Sequence, residues 1–372
     1  MSANSVFLYN NKLKLKYIAS LLLVLCCLLS YAQVPPGYYS QAENLSGDAL
    51  KNALHNIIKN HTSVSYNNLW QSFYSTDART DNGKVWDIYS DNPTGTTHYY
   101  FSFGTDQCGT YSGEGDCYNR EHTVPKSWFG GSTPPMYTDL FHLYPTDGYV
   151  NSKRSNLPFG EVSNATWTST NGSKIGLCSY SGYTGQVFEP IDSYKGDLAR
   201  TYFYMAVCYK DKNLGVETQS MFNYGELKPW AKNMLLEWNS LDPVSQKEID
   251  RNNAVYQIQH NRNPFIDFPE LAEMIFGNNT NVPFTTGISE FNDEWQVFPN
   301  PTQGKINIRQ IDNINGGTIS IEMTNAVGVT VFKKTVNDFN HSEIDLSTLP
   351  AGVYILKISA ENNNKTLKII KQ

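Results

Sequence analysis

The sequence predicts an α+β protein in two parts, a mainly helical domain over residues 33–276 and a small all-β sandwich domain over residues 291–372. Three observations predict it. Apolar residues recur at helical spacing before residue 277, a stretch rich in Gly, Asn and Thr covers 277–290, and short alternating runs follow. The length of 372 residues exceeds one ordinary domain, and a hydrophobic content of 40% is enough to build real cores.

At the N-terminus, Lys12, Lys14 and Lys16 precede an apolar run from Ile18 to Leu29, closed by Ser30-Tyr31-Ala32. Basic start, short apolar core and small-residue exit describe a cleavable secretory signal over residues 1–32. The run is too short to cross a bilayer comfortably, so no stable membrane insertion is expected after processing. Residues 47–61 place Leu50, Leu54, Ile57 and Ile58 on one helical face, with Asp48 as the expected N-cap. His98 to Phe103 reads as a strand, and Val150-Asn151 falls in a helix. Residues 196–209 read as a buried helix around Leu198, Tyr202, Met205 and Val207. Further helices are expected over 228–239 and 243–260, the second opening behind Asp242-Pro243. Residues 277–290 read as a linker. Beyond it, the runs at Ile306–Ile308, Thr318–Ile321, Val329–Val331, Val353–Ile358 and Lys365–Ile370 alternate between Gly, Pro and Asn turns, the texture of a sandwich.

Without the signal segment four cysteines remain: Cys108, Cys117, Cys178 and Cys208. In an exported protein they read as two disulfides, with three connectivities open. Cys108 and Cys117 enclose a loop containing Gly109, Gly113 and Gly115 that can bend back, which makes them the first pair; Cys178–Cys208 follows by elimination. There is no C-x-x-C spacing to favour zinc. Residues 33–286 carry 18 Lys+Arg against 26 Asp+Glu, a net charge of −8 (18 − 26). A broadly basic nucleic-acid binder is thereby excluded, and any phosphate contact must come from a local patch. Arg120, Lys126, Lys153 and Arg154 would supply it.

The chemistry-bearing residues are concentrated between Asn119 and Asn156. Glu121 offers an anionic oxygen ligand, and His122 offers a base with an ordinary pKa of about 6.5. Neighbours on a strand point to opposite faces, so this pair serves one site only where a strand ends, and Pro125 supports an end there. Asn151 adds a carboxamide on a helix, although an isolated Asn is more often a cap or turn residue. His142 is the rival base, and Asp139 reads as a residue that orients a neighbour. No G-x-S-x-G elbow, H-E-x-x-H helix or Walker loop is present, so those chemistries have no support.

Several blocks in order resemble the endonuclease I family of secreted bacterial nucleases, of the ββα-metal (His-Me finger) group. They are Asn119-Arg120-Glu121-His122 with Pro125-Lys126-Ser127, Asp139-Leu140-Phe141-His142-Leu143-Tyr144-Pro145, and Val150-Asn151 with Arg154-Ser155-Asn156 and Phe159-Gly160. Phe188-Glu189-Pro190, Lys195 to Arg200, and Arg262 to Asp267 with Pro269-Glu270 follow. The resemblance implies a secreted metal-dependent endonuclease that hydrolyses phosphodiesters of DNA, with RNA as a further candidate substrate and little sequence specificity. It implies His122 as general base, Glu121 and Asn151 as ligands of one Mg²⁺ (Ca²⁺ or Mn²⁺ as alternatives), and Arg154 at the scissile phosphate. Asp139 and His142 would support these residues from behind. Two departures stand out, Phe141 and Phe268, where family members often carry His. The rival reading is a catalytically inactive nucleic-acid-binding or adhesion protein that retains the fold. At the other end, Val297 to Thr302 with Gly304, Leu349 to Tyr354, and Lys368 to Lys371 resemble the C-terminal sorting domain of Bacteroidetes type IX secretion substrates. That resemblance implies the secretion machinery as a partner, export across the outer membrane, and an extracellular or cell-surface destination.

Overall fold

The computed structural model describes residues 34–286, 295–310, 319–325, 329–337, 341–360 and 363–372. The expected signal segment and the 287–290 end of the expected linker lie outside the described residues. Two compact units are present, divided between Thr286 and Gly287.

The first unit opens with helices α1 (Gly47–Ile58) and α2 (Leu69–Thr76). Helix α1 buries Leu50, Leu54 and Ile58, the face that the apolar spacing marks out. Its N-cap is Ser46 rather than Asp48, which instead sits in the first turn, where its charge favours the positive end of the helix dipole. The segment 98–103 forms no strand. Its aromatic residues imitate a strand's composition, but they pack instead: Phe101 meets the ring of Tyr118 at 5.8 Å and accepts a bond from the Val85 amide.

Strands β1 (Tyr118–His122) and β2 (Leu143–Asp147) pair antiparallel, with Glu121 opposite Tyr144 and His122 opposite Leu143. Helix α3 (Gly148–Arg154) follows β2 at once, because the Asp147 carboxylate caps it by accepting from the Val150 amide at 2.9 Å. Strands β3 (Val162–Thr168), β4 (Lys174–Cys178) and β5 (Gln186–Glu189) form an antiparallel sheet in that order. Helix α4 (Lys195–Cys208) is buried at every residue and packs against α1. After the short hairpin β6 (Phe222–Asn223) and β7 (Glu226–Leu227) come α5 (Pro229–Leu241), α6 (Gln246–Gln259), α7 (Pro264–Asp267) and α8 (Leu271–Ile275). Helix α6 opens at a capping box between Ser245 and Glu248, three residues later than Asp242-Pro243 suggested. From α6, Arg251 pairs with Asp77 at 2.7 Å and donates to the carbonyls of Leu140 and Leu143, fixing the approach to β2.

Residues 277–286, expected to be linker, pack on this unit. Phe284 exchanges backbone hydrogen bonds with Asn44 and Leu45 and is only 1% exposed. One buried aromatic ring outweighs the flexible composition around it. The cysteine pairing is half as expected. Cys108 and Cys117 are bonded, with Cα atoms 5.7 Å apart, whereas Cys178 and Cys208 are both free. Cys178 ends β4, and Cys208 ends the buried helix α4 with its sulfur toward the Ile58 carbonyl. Elimination ignores the Cα and Cβ geometry that a disulfide demands.

The second unit holds two antiparallel sheets. One has the order β11 (Thr330–Val336), β10 (Ile319–Asn325), β13 (Gly352–Ala360), β14 (Asn363–Lys371); the other has β12 (His341–Asp345), β9 (Lys305–Gln310), β8 (Trp295–Phe298). Alternate residues from both sheets, among them Ile306, Ile308, Ile321, Met323, Ile344, Leu356 and Ile358, share one core. That is sandwich packing, with the strand period of two sorting side chains inward.

Candidate active site

Strand alternation organises the site. Asn119 and Glu121 share the face of β1 that meets α3, while Arg120 and His122 face the other way. On α3, Asn151 and Arg154 are three residues apart and therefore neighbours on one side of the helix. The two faces meet in two rungs. The Asn151 amide nitrogen donates to Asn119 Oδ1 at 2.7 Å, and Arg154 Nη1 donates to Glu121 Oε1 at 2.9 Å.

Glu121 is buried, and Tyr89 also donates to its Oε1, at 2.8 Å. Burial pushes its pKa above the ordinary carboxylate range, against the opposing pull of Arg154 and Tyr89. Arg154 is fully buried, with Nη1 also on the His122 carbonyl at 3.0 Å, Nη2 on the Thr123 carbonyl at 2.7 Å, and its guanidinium over the Phe159 ring. The structure therefore places Arg154 behind Glu121 and away from solvent, not where the expected phosphate contact requires it. Its helical position three residues beyond Asn151 turns it toward β1.

His122 is the last residue of β1, on the face opposite Glu121. Its Nε2 lies 2.9 Å from the Tyr137 carbonyl. A carbonyl only accepts, so Nε2 carries the proton and Nδ1 holds a lone pair. Burial, then His142 and the nearby cations Lys126 and Arg120, push its pKa down to about 3, only partly opposed by the bond to Tyr137. The ring is thus neutral at pH 7, with Nδ1 unprotonated.

His142 is fully buried, with Nε2 2.6 Å from the Met136 carbonyl, and burial lowers its pKa despite the proximity of Asp139. No solvent reaches it, so the rival base has no path to a water. Asp139 is equally sealed. Its carboxylate accepts from Tyr204 and Tyr209 at 2.7 Å and from Gln259 at 3.0 Å, with His61 at 3.3 Å. His61, Asp139 and Cys208 bring ligand atoms within 4.8 Å of one another. The two tyrosines already occupy the carboxylate, and burial pushes the Cys208 thiol well up, so this is a hydrogen-bonded core network. Of the cationic patch, Lys126 and Lys153 are exposed. Arg120 is half-buried, its guanidinium 3.6 Å from the Tyr66 ring centroid and donating to the Tyr66 carbonyl.

Sequence reasoning did not single out Asn119, Tyr89, Tyr66 or Tyr137. Asn119 carries a usable signal, two residues before Glu121 on a strand. The tyrosines come from distant segments and carry none.

A buried carboxylate, a neutral histidine with one nitrogen tied, and an oriented carboxamide lie where a strand hairpin hands over to a helix, and comparison with known proteins agrees with a nuclease of the hydrolase class. A profile of the family Endonuclease I matches residues 46–270, and the chain belongs to that family. The profile of the secretion system C-terminal sorting domain matches residues 296–372. Among curated relatives, the extracellular ribonuclease of Bacillus amyloliquefaciens is 38% identical over 245 residues, covering 64% of this chain and 78% of the relative. The extracellular ribonuclease of Bacillus subtilis (strain 168) gives the same figures of 38%, 64% and 78%. Endonuclease-1 of Buchnera aphidicola subsp. Baizongia pistaciae (strain Bp) is 32% identical over 130 residues, covering 35% of this chain and 46% of that protein. Nucleases of this family are generally dependent on a divalent metal. The sorting domain and the extracellular relatives indicate secretion or export to the cell surface. No helix among the described residues is long and apolar enough to cross a membrane.

Proposed function

We propose that this protein is an exported endonuclease of the ββα-metal (His-Me finger) type that hydrolyses phosphodiesters of DNA and RNA with little sequence specificity, using one divalent cation. The single observation that carries the reading is the meeting of β1 and α3, where Glu121 and Asn151 are fixed by partners at 2.7–2.9 Å beside a neutral His122. RNA enters because the extracellular ribonucleases of two Bacillus species match 64% of this chain.

The residues fit a small hard cation. The Asn151 amide nitrogen is held by Asn119, so its oxygen is the atom left to ligate, and Glu121 brings a carboxylate that takes both Tyr89 and Arg154 on one oxygen. Two protein oxygens suit Mg²⁺, which keeps several of its waters. Such a cation, when bound, offsets charge on the phosphate and the departing oxygen.

The chain's own residues do the rest. The Tyr137 carbonyl fixes the His122 tautomer, and Nδ1 takes the proton from a water lined up behind phosphorus. Arg154 and Tyr89 hold the Glu121 carboxylate in one orientation, which spares reorganisation as charge develops. Exposed Lys126 and Lys153 attract the backbone locally despite the unit's net negative charge. The domain over residues 291–372 is assigned to export and not to catalysis, since the catalytic constellation lies wholly before residue 155.

Purified chain lacking residues 288–372 is incubated with supercoiled plasmid and with RNA, in Mg²⁺ and in EDTA. Nicking of plasmid and fragmentation of RNA in Mg²⁺ alone is the expected result. Binding without cleavage in either condition would establish the inactive-fold alternative instead.

A further inference from the structure

Tyr137 lies in the connection between β1 and β2, and its ring has a role that its carbonyl does not exhaust. The ring is nearly parallel to two others: Tyr66, at 4.6 Å and 19°, and His122, at 5.1 Å and 18°. Tyr66 and His122 are themselves parallel within 16°, with centroids 6.2 Å apart. Were Tyr137 sandwiched between them, two stacking layers of about 3.5 Å each would hold them at least about 7 Å apart. At 6.2 Å they share one side of Tyr137. The opposite face of Tyr137 therefore belongs to neither.

Tyr66 is in turn covered by the Arg120 guanidinium, 3.6 Å from its centroid and 4.3 Å from that of Trp70. The pile runs Trp70, Arg120, Tyr66, Tyr137, and Tyr137 is its half-exposed end. Exposed Lys126 holds its ammonium 5.8 Å from the Tyr137 centroid. A flat aromatic face with the mobile end of a lysine over it, and His122 against its inner side, are the parts that a nucleotide site requires.

Resting on the nuclease reading above, we propose that the outer face of Tyr137 stacks the unpaired base of a nucleotide flanking the scissile linkage, with Lys126 on that nucleotide's phosphate. Every base has a π face, so such a platform selects an unpaired nucleotide without selecting its identity. In a duplex both faces of each base are already stacked, so single-stranded nucleic acid is the preferred substrate class. Because Tyr137 also fixes His122, a stacked base brings its own phosphate to the catalytic nitrogen.

The test uses single-stranded oligonucleotides in which every linkage but one is an uncleavable methylphosphonate. The nucleotide on one side or the other of the cleavable linkage is either normal or abasic. With wild-type protein, one of the two abasic positions should lower kcat/KM by about 5- to 150-fold, the range of single-base stacking, and chiefly through KM. Tyr137→Leu keeps the backbone carbonyl and should show that loss on the normal oligonucleotide, with no further penalty from the abasic one. Equal rates of wild type on normal and both abasic substrates overturn the platform without any variant. So does a Tyr137→Leu defect in kcat alone that leaves the abasic penalty intact, since that marks a residue that only steadies His122. If wild type cleaves none of them, the nuclease reading falls, and the platform is judged by equilibrium binding of the same oligonucleotides. There, equal affinities for normal and abasic strands overturn it.

Discussion

Two histidine–carboxylate pairs stand side by side in this molecule, Glu121 with His122 at the end of β1 and Asp139 with His142 just before β2. Their residue types are nearly the same, and the rings of the two histidines are 5.5 Å apart. Asp139 is closed off by Tyr204, Tyr209 and Gln259, and His142 has no exposure at all. His122 keeps 9% exposure at a strand end, although each ring alike ties one nitrogen to a backbone carbonyl and His142 Nδ1 has no partner among the described residues. Composition supplies the available chemistry twice over. Access to water decides which copy uses it.

The largest effect that separates the pairs is on turnover. His122→Ala should lose on the order of 10²–10⁴-fold in kcat, the usual contribution of a positioned base, with nucleic-acid binding in EDTA unchanged. His142→Asn, once its folding is verified by circular dichroism, should retain turnover within about tenfold, far from a lost base. The reverse pattern would move the base from one pair to the other.

Next comes Arg154, which ties Glu121 to α3. Arg154→Met leaves a buried carboxylate without its partner and should cost about 3–5 kcal/mol in urea unfolding. Because the guanidinium faces no solvent, the salt dependence of nucleic-acid binding should keep its slope. A slope reduced by about one unit would restore Arg154 to the phosphate.

The pH dependence of stability sharpens the contrast further. His122 titrates near 6.5 in the unfolded chain and at about 3 in the folded one, so between those values the unfolded state binds more protons. Its stabilisation is complete above pH ~6.5 and is lost as pH falls toward 3. Urea midpoints measured from pH 7 down to 4.5 should fall less steeply in His122→Gln than in wild type. Parallel curves would mean that the ring is not held neutral by the fold.

The smallest effect is expected from Tyr89→Phe, which removes one bond to Glu121 Oε1. A loss of about 1.5–3 kcal/mol is usual for a bond to a charged group, and half-maximal activity should need more Mg²⁺. An unchanged Mg²⁺ titration would show that Arg154 alone orients the carboxylate.

Local pattern carried much of this architecture. Helix α1 follows from apolar spacing and α4 from its apolar content, α6 was announced by Asp242-Pro243 although its buried face is mostly polar, and the strands of the second unit follow from alternation. The strand end at His122 and the helix that carries Asn151 were also legible, the first from Pro125 and the second from the Val150-Asn151 segment. What escaped was long-range. Tyr89 lies 32 residues from Glu121, and Tyr204 lies 65 from Asp139, so no spacing rule connects them. Segment 98–103 looked like a strand because aromatic residues suit a pleated surface as well as a packed loop. Phe284 gave no warning inside a linker composition, and the thiols of Cys178 and Cys208 could not be placed without geometry. Arg154 was misassigned for the same reason: its charge is visible in sequence and its burial is not.

The Cys108–Cys117 bond gives this molecule a sense of place. The carbonyl of Cys117 accepts from the Gly148 amide at 2.9 Å, and Gly115, inside the bridged loop, donates to the Asp147 carboxylate at 2.7 Å. Both contacts land on the first residues of the helix that presents Asn151. A bridge of this kind contributes about 2–4 kcal/mol by restraining the open chain, and it forms only where thiols are oxidised. Inside the cell that makes it, surrounded by nucleic acid and reductant, the chain therefore carries that helix without its clasp. The firmness of that helix start thus depends on the redox state of the surroundings as well as on the fold.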